Sequence, residues 1–244
     1  MSNMNFLNIT IVELKQICRA HKIKGFTKKT KEQLIKMIEQ REASMPPPMD
    51  KSERVKRLKE HLSASRIDHE YGIMQAPTFK DAHVYCIVNK ISGQKYGGLL
   101  EMYFRMKFGY QKNNAKDCTG DCSKDGKNSE IKVSLGGGKH LKFNYVQIRP
   151  NHDCDFYILT AFSLTDENVE EEGELYIFRV PKEEVKKLVV AYGGYAHGTN
   201  KEHGAITISK MENENNNCEY ALRPVINSEC WEQLMQYRIT ESSL

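Results

Sequence analysis

No stretch of the 244 residues approaches the roughly 20 consecutive apolar positions that a membrane-spanning helix needs. The opening MSNMNFLNIT also lacks the basic start and long apolar run of a secretory signal, so the expectation is an intracellular protein without a membrane partner. That would mean cytoplasmic, or nuclear if the source is a eukaryote or its virus. Cysteine does not come in pairs. There are seven, at 18, 86, 118, 122, 154, 218 and 230, an odd and scattered set that excludes a disulfide framework and fits reduced thiols. Proline is scarce outside one place, the run Pro46–Pro48. What remains is 39% hydrophobic, enough for the core of one domain, or of one domain and a small appendage.

The charge is unevenly spread. The chain carries a net +4, but residues 1–66 hold 15 Lys and Arg against 7 Asp and Glu, whereas the remainder holds 21 against 25. A basic N-terminal third is an electrostatic footprint for nucleic acid, because each neutralised phosphate releases counterions. The plainer reading is a set of solvated, lysine-rich helices. The acidic excess of the remainder includes the run Asp166–Glu174, which reads as an exposed loop.

Residues 8–41 read as two short helices and a turn. Thr10 with Glu13, and Thr30 with Gln33, have the spacing of capping boxes. Ile11, Leu14, Ile17 and Cys18, then Leu34, Ile35 and Ile38, recur at helical spacing. Gly25 lies in the connection, and Ile23 and Phe26 are placed to close a miniature core. By spacing and charge, Lys24, Lys28, Lys29 and Lys31 are the candidate phosphate contacts. The segments TIVELKQICRAH, KIKGFTKKTK and EQLIKMI together resemble a SAP domain. The resemblance implies binding to double-stranded DNA with little sequence preference, or a leaning towards A/T-rich tracts. The triple proline favours an extended spacer. The division is therefore a helical module over 1–42, a linker over 43–52 and a larger domain over 53–244. Ser52 is expected to cap a helix running to about Ser65, which packs on the larger domain and lies along the DNA backbone.

The larger domain is organised around residues 120–134, GDCSKDGKNSEIKVS. Asp125-Gly126 between extended segments is a strong hairpin signal. With a two-residue loop, Lys124 faces Lys127 and Asp121 faces Glu130; Lys132 shares that sheet face, while Ile131 and Val133 point into a core. A four-residue loop shifts the register by two and keeps the three polar residues together, whereas a three-residue loop separates them. Two carboxylates on one face suit a hard cation such as Mg²⁺, which takes oxygen ligands and keeps several waters. An ammonium beside them can orient a water or offset charge growing on a phosphate. The plain alternative is a solvated hairpin face with a cross-strand ion pair.

An Asp at the start of one strand followed by Glu-x-Lys in the next resembles the PD-(D/E)XK nuclease motif, here with Gly-Asp in place of Pro-Asp. Upstream, SGQKYGGLLEMYFRMKFGY reads as a helix carrying Glu101, with Leu99, Leu100, Tyr103, Phe104 and Phe108 available to one face. Downstream, FNYVQIRPNHDCDFYILTAF resembles the stretch that follows this motif in type II restriction endonucleases. Together these matches span roughly residues 92–164. The resemblance implies an α/β fold, a restriction-endonuclease-like mixed central sheet flanked by helices and preceded by the small SAP-like domain. It implies Mg²⁺-dependent cleavage of double-stranded DNA, with Asp121 and Glu130 on the metal, Lys132 at the attacking water and Glu101 in support. A short, palindromic target and a homodimer are implied too. Two other readings stay open, a structure-selective repair or recombination nuclease and a DNA-binding protein with a vestigial site.

Elsewhere, HVYCIVN (83–89) reads as a strand, as do Asp155–Phe162 and Glu174–Val180, with a helix over Lys182–Val190 and a terminal helix in CWEQLMQYR. Gly136–Gly138 lack the Gly-Lys-Ser or Gly-Lys-Thr of a nucleotide loop and read as a flexible connection near DNA. Gln147 and Lys142 are secondary site candidates. The glycine-rich AYGGYAHGTNKEHGAIT holds Tyr195, His197, Asn200 and Lys201, side chains able to read base edges or phosphates from a pliable loop. Cys118, Cys122, His140, His152 and Cys154 are too loosely paired for a structural zinc site.

Overall fold

The computed structural model describes residues 10–20, 22–44, 50–64, 72–136, 141–196, 203–213 and 216–244. Helices α1 (Ile11–Ala20) and α2 (Lys31–Ala43) make the two-helix unit read from the sequence. The second capping box is formed: Thr30 N–H donates to Gln33 Oε1 at 3.1 Å and Gln33 N–H to Thr30 Oγ1 at 3.4 Å. Leu14, Ile17, Cys18, Leu34 and Ile38 are buried in a core of their own, with Ile23 and Phe26 packed against it. An ion pair between Arg19 and Glu229 ties this unit to the far end of the chain.

Helix α3 (Lys51–Ala64) is capped two residues earlier than expected. Asp50 Oδ1 accepts the Ser52 N–H at 2.6 Å, a carboxylate outcompeting the hydroxyl as acceptor at the positive end of a helix. Leu58 and Leu62 are buried against Val84, Val88, Phe162 and Val169. On the flank of α3 beside this contact three basic side chains are engaged within the chain, while Lys56 on the far side stays exposed. Arg54 Nε bonds Asp166 at 2.6 Å, Arg57 pairs with Glu170, and His61 lies 3.7 Å from Glu172. The acidic run is therefore a docked segment, anchored by fully buried Val169, rather than a loose loop.

The segment expected as a strand at 83–89 is helical. Helix α4 (Phe79–Val88) starts at a capping box in which Thr78 and Asp81 bond each other's backbone. Phe79, Ala82, His83, Val84, Cys86 and Val88 are all buried, so the helix is covered on several sides and shows no one-sided apolar stripe. An apolar run of this length reads the same as a buried strand. Helix α5 (Gly93–Phe108) follows and buries Leu100, Tyr103 and Phe104.

Two sheets complete the larger domain, a mixed α/β architecture. The six-stranded sheet has the order β1 (Gln111–Lys112), β2 (Cys122–Lys124), β3 (Lys127–Leu135), β5 (Phe156–Ser163), β6 (Glu174–Pro181) and β9 (Arg238–Ile239). Strands β3 and β5 are parallel and the other neighbours antiparallel. A three-stranded sheet joins β4 (Tyr145–Ile148), β8 (Tyr220–Leu222) and β7 (Gly194–Tyr195) in that order. Ile131, Ile158 and Ile177 pack with α4 and α5 on one face of the large sheet. Tyr157, Leu159, Phe178 and Val180 pack on the other with α6 (Lys182–Tyr192), the three-stranded sheet and α8 (Glu229–Met235), which follows the short α7 (Ile208–Met211). Trp231 and Leu234 point inwards as expected, the indole stacked on Phe143 at 5.3 Å. Among the described residues no helix is long and apolar enough to cross a membrane, and all seven cysteines are free thiols.

Candidate active site

The hairpin loop has two residues. Asp125 (φ 51°) and Gly126 (φ 72°) are both left-handed, the geometry a two-residue turn of this kind requires. The register is the one the short loop dictates: Lys124 opposite Lys127, Ser123 opposite Asn128 and Cys122 opposite Ser129.

Regular pairing then stops one residue short of the expected Asp121–Glu130 pair. Asp121 N–H donates at 2.9 Å to Ser129 O, on the residue that already faces Cys122. Two residues against one is the pattern of a β-bulge, which bends the strand and re-aims a side chain. Ile131 N–H, which would bond the departing strand, is taken instead by Asp121 Oδ2 at 2.7 Å. The carboxylate replaces the missing main-chain carbonyl and is fixed at the point where β2 peels away. Gly120 makes the bend possible. Its φ is +78°, and a Cβ there would stand 2.8 Å from Ser129 O. Proline, locked near −65°, cannot adopt that φ, which is the physical reason for Gly-Asp at this position.

Glu130 and Lys132 alternate with Ile131 and lie on the face opposite to α4 and α5, beside Tyr157 and Leu159 in the neighbouring strand. Glu130 is buried, and its Oε1 accepts Lys132 Nζ at 2.6 Å. Asp121 is pushed up to about 6, first by burial, then by the negative charge of Glu130 and, more weakly, of Glu101; the Ile131 N–H and Lys132 pull it partly back. Glu101 sits on α5 and bonds Arg105 Nε, one turn on, at 3.3 Å. The structure therefore brings Asp121, Glu130 and Lys132 together at the bulge, with Glu101 within electrostatic reach of Asp121.

Two neighbours were not assigned to this site from the sequence. Arg105 holds Glu101, and the i, i+4 spacing within α5 is a signal that was there to be read. His152 stands with its Nδ1 3.7 Å from Glu130 Oε2. It comes from a turn 22 residues downstream, and no local pattern connects it to Glu130.

The other candidates lie apart. Gln147 is exposed on β4 with φ 56°, at the irregularity between the paired residues Tyr145 and Ile148. Lys142 is exposed beside Val225. Tyr195 is no loop residue: it is buried in β7, stacks near Tyr220 and donates its hydroxyl to His203 O at 3.2 Å. Two glycines before it free the backbone, but the ring fills core space and cannot read a base. His197, Asn200 and Lys201 lie outside the described residues, as do Gly137, Gly138 and His140. Lys24, Lys28 and Lys29 are exposed around the turn between α1 and α2, and Lys31 is half-buried at the start of α2.

Among the described residues no three His, Cys, Asp or Glu side chains close on a common metal position, zinc included. Asp121 and Glu130 offer two carboxylates, the number with which Mg²⁺ is often held when waters and substrate phosphates complete its shell. The donor set is all oxygen, and a carboxyl raised by a like-charged neighbour in a buried site is a feature that a cation would relieve. The residues present thus fit a hard divalent cation. Comparison of the chain with protein families, curated proteins and solved structures finds no match in any of the three.

Proposed function

We propose that this chain is a Mg²⁺-dependent endonuclease that hydrolyses phosphodiester bonds in double-stranded DNA, built on a restriction-endonuclease-like sheet. The observation that carries the reading is the bulge at Gly120-Asp121. It fixes a half-buried carboxylate on the Ile131 N–H, within electrostatic reach of the buried Glu130, whose Oε1 is 2.6 Å from an ammonium. A solvated cross-strand ion pair needs neither the burial nor the bulge.

In this reading Asp121 and Glu130 hold the cation. When bound, the cation would act as a Lewis acid on the scissile phosphate. Lys132 Nζ, 2.6 Å from Glu130 Oε1, would orient the attacking water and offset charge on the phosphate oxygens. Glu101, steadied by Arg105, adds negative potential that favours cation binding at Asp121. The α1–α2 unit loads the enzyme onto duplex DNA through Lys24, Lys28, Lys29 and Lys31, a contact that is electrostatic and insensitive to sequence. Sequence choice and a double-strand cut call for more than one unit contains, so a homodimer acting on a short palindrome is the working assembly.

The test is incubation of purified protein with long unmethylated duplex DNA, with Mg²⁺ or with EDTA, beside Lys132→Ala. Discrete fragments that need Mg²⁺ and vanish in the variant are expected. DNA left intact under every condition overturns the reading, and cutting confined to branched substrates replaces it with a structure-selective nuclease.

A further inference from the structure

We infer that His152 is a positioning residue for Glu130, holding the carboxylate oxygen that Lys132 leaves free. The inference rests on the reading of Asp121 and Glu130 as a cation-binding pair. Glu130 has two oxygens, and Oε1 is taken by Lys132 at 2.6 Å. The other, Oε2, faces His152 Nδ1 at 3.7 Å. That nitrogen is buried and has no hydrogen-bond partner among the described residues. A buried imidazole nitrogen without a partner is costly, and here its nearest acidic neighbour is a carboxylate just beyond bonding distance. A small rotation of either side chain closes the gap.

The backbone around His152 keeps the ring in place. His152 N–H donates to Arg149 O at 3.1 Å, and His152 O accepts both Cys154 N–H at 3.0 Å and Lys182 Nζ at 2.7 Å. The next residues are stitched to the hairpin itself. Asp153 N–H reaches Cys118 O at 2.8 Å and Asp155 N–H reaches Asn128 O at 2.9 Å. The Asp155 carboxylate accepts Lys127 Nζ and Asn128 N–H, both at 2.9 Å. The turn carrying His152 and the hairpin carrying Asp121 and Glu130 therefore move as one piece. These main-chain bonds close the fold whatever side chain stands at 152. They do not require an imidazole turned inwards onto Glu130.

A residue that orients a metal-binding carboxylate without touching the metal typically controls metal affinity by about 10–100-fold. Calorimetric titration with Mn²⁺ as the probe, on the full chain, reads this directly for wild type, His152→Ala, His152→Asn and Asp121→Asn. His152→Ala is expected to weaken Mn²⁺ by about 10–100-fold. His152→Asn, whose amide can also donate towards Oε2, recovers most of the loss, and Asp121→Asn abolishes binding. In cleavage assays the Mn²⁺ concentration for half-maximal rate rises with the same factor in His152→Ala, while the rate at saturating Mn²⁺ changes little. Circular dichroism confirms folding, and His152→Leu, which cannot donate a hydrogen bond and is expected to lose affinity as alanine does, carries the comparison if the alanine variant unfolds. Wild-type affinity in both His152 variants, with Asp121→Asn still inactive, overturns this inference and leaves the cation site standing. Absence of Mn²⁺ binding by wild type overturns both.

Discussion

Replacing Asp121 by Asn should make the metal-free protein more stable, and on the proposed reading it should abolish DNA cleavage. The carboxyl stands at about 6 in the folded chain against an ordinary 3.8, held up by burial and by Glu130. A group whose folded value is raised in this way binds its proton more tightly when folded. Its contribution is neutral below 3.8, becomes unfavourable as pH rises through the window from 3.8 to about 6, and stays so above it. At pH 7.5 the penalty is about 3 kcal/mol, at about 1.4 kcal/mol for each step of one in pKa. Asparagine is isosteric and keeps an acceptor for the Ile131 N–H, and the stronger bond of the ionised carboxylate is already contained in the value of about 6. The gain is therefore about 3 kcal/mol, or a Tm rise of roughly 6–12 °C for a chain of this size. Thermal unfolding followed by circular dichroism in EDTA, at pH 7.5 and at pH 4, measures it. The two proteins should differ at pH 7.5 and nearly coincide at pH 4, where the wild-type carboxyl is protonated in the folded state. Mg²⁺ should raise the Tm of wild type and leave the variant unmoved. A variant equal to or less stable than wild type at pH 7.5 would refute the claim that burial and the neighbouring Glu130 hold this carboxyl up.

Gly120→Ala should cost about 1–3 kcal/mol, because a left-handed residue gains a Cβ that meets a fixed main-chain oxygen; urea unfolding measures it, and cleavage should fall further than stability as Asp121 is displaced. Gly120→Pro should be worse still, despite the proline common at this position of the motif it resembles. His83 is buried, bonds Phe79 O at 2.7 Å and is driven down to about 4 by burial, so it is neutral when folded. The unfolded chain takes up its proton at 6.5, so stability is lost as pH falls from 6.5 to about 4, by about 3 kcal/mol in all. In His83→Phe that part of the acid sensitivity should be absent from denaturation midpoints measured across the window. Changing Lys24, Lys28 and Lys29 together to Ala should lower DNA affinity and reduce the slope of log K against log salt by about 3. Titration of a fluorescent duplex checks this, with Mn²⁺ affinity expected to be unchanged.

Much of this protein is decided within short windows of sequence. The α1–α2 unit is legible because its capping residues and apolar spacing lie inside a single turn or two, and its core closes on the same side chains the spacing picks out. The hairpin is legible for the same reason. Asp125-Gly126 fixes a two-residue loop, and the loop fixes the register as far as Cys122 and Ser129. Beyond that pair, tertiary structure decides. The bulge depends on Gly120 lying against Ser129 O, and the new aim of Asp121 depends on an Ile131 N–H that no strand claims. Helix α4 was hidden because burial on several sides erases the periodicity that separates helix from strand. The docking of Asp166 and Glu170 on α3 joins residues more than 100 positions apart. His152 reaches Glu130 only because its turn is sewn to the hairpin by main-chain bonds, whose partners carry no side-chain signature. The sequence by itself determined which residues could do chemistry and which local elements carry them, since capping, turn geometry and alternation act over a few residues. The tertiary structure alone decided which of those residues meet, because main-chain pairing and burial join positions that no local pattern relates.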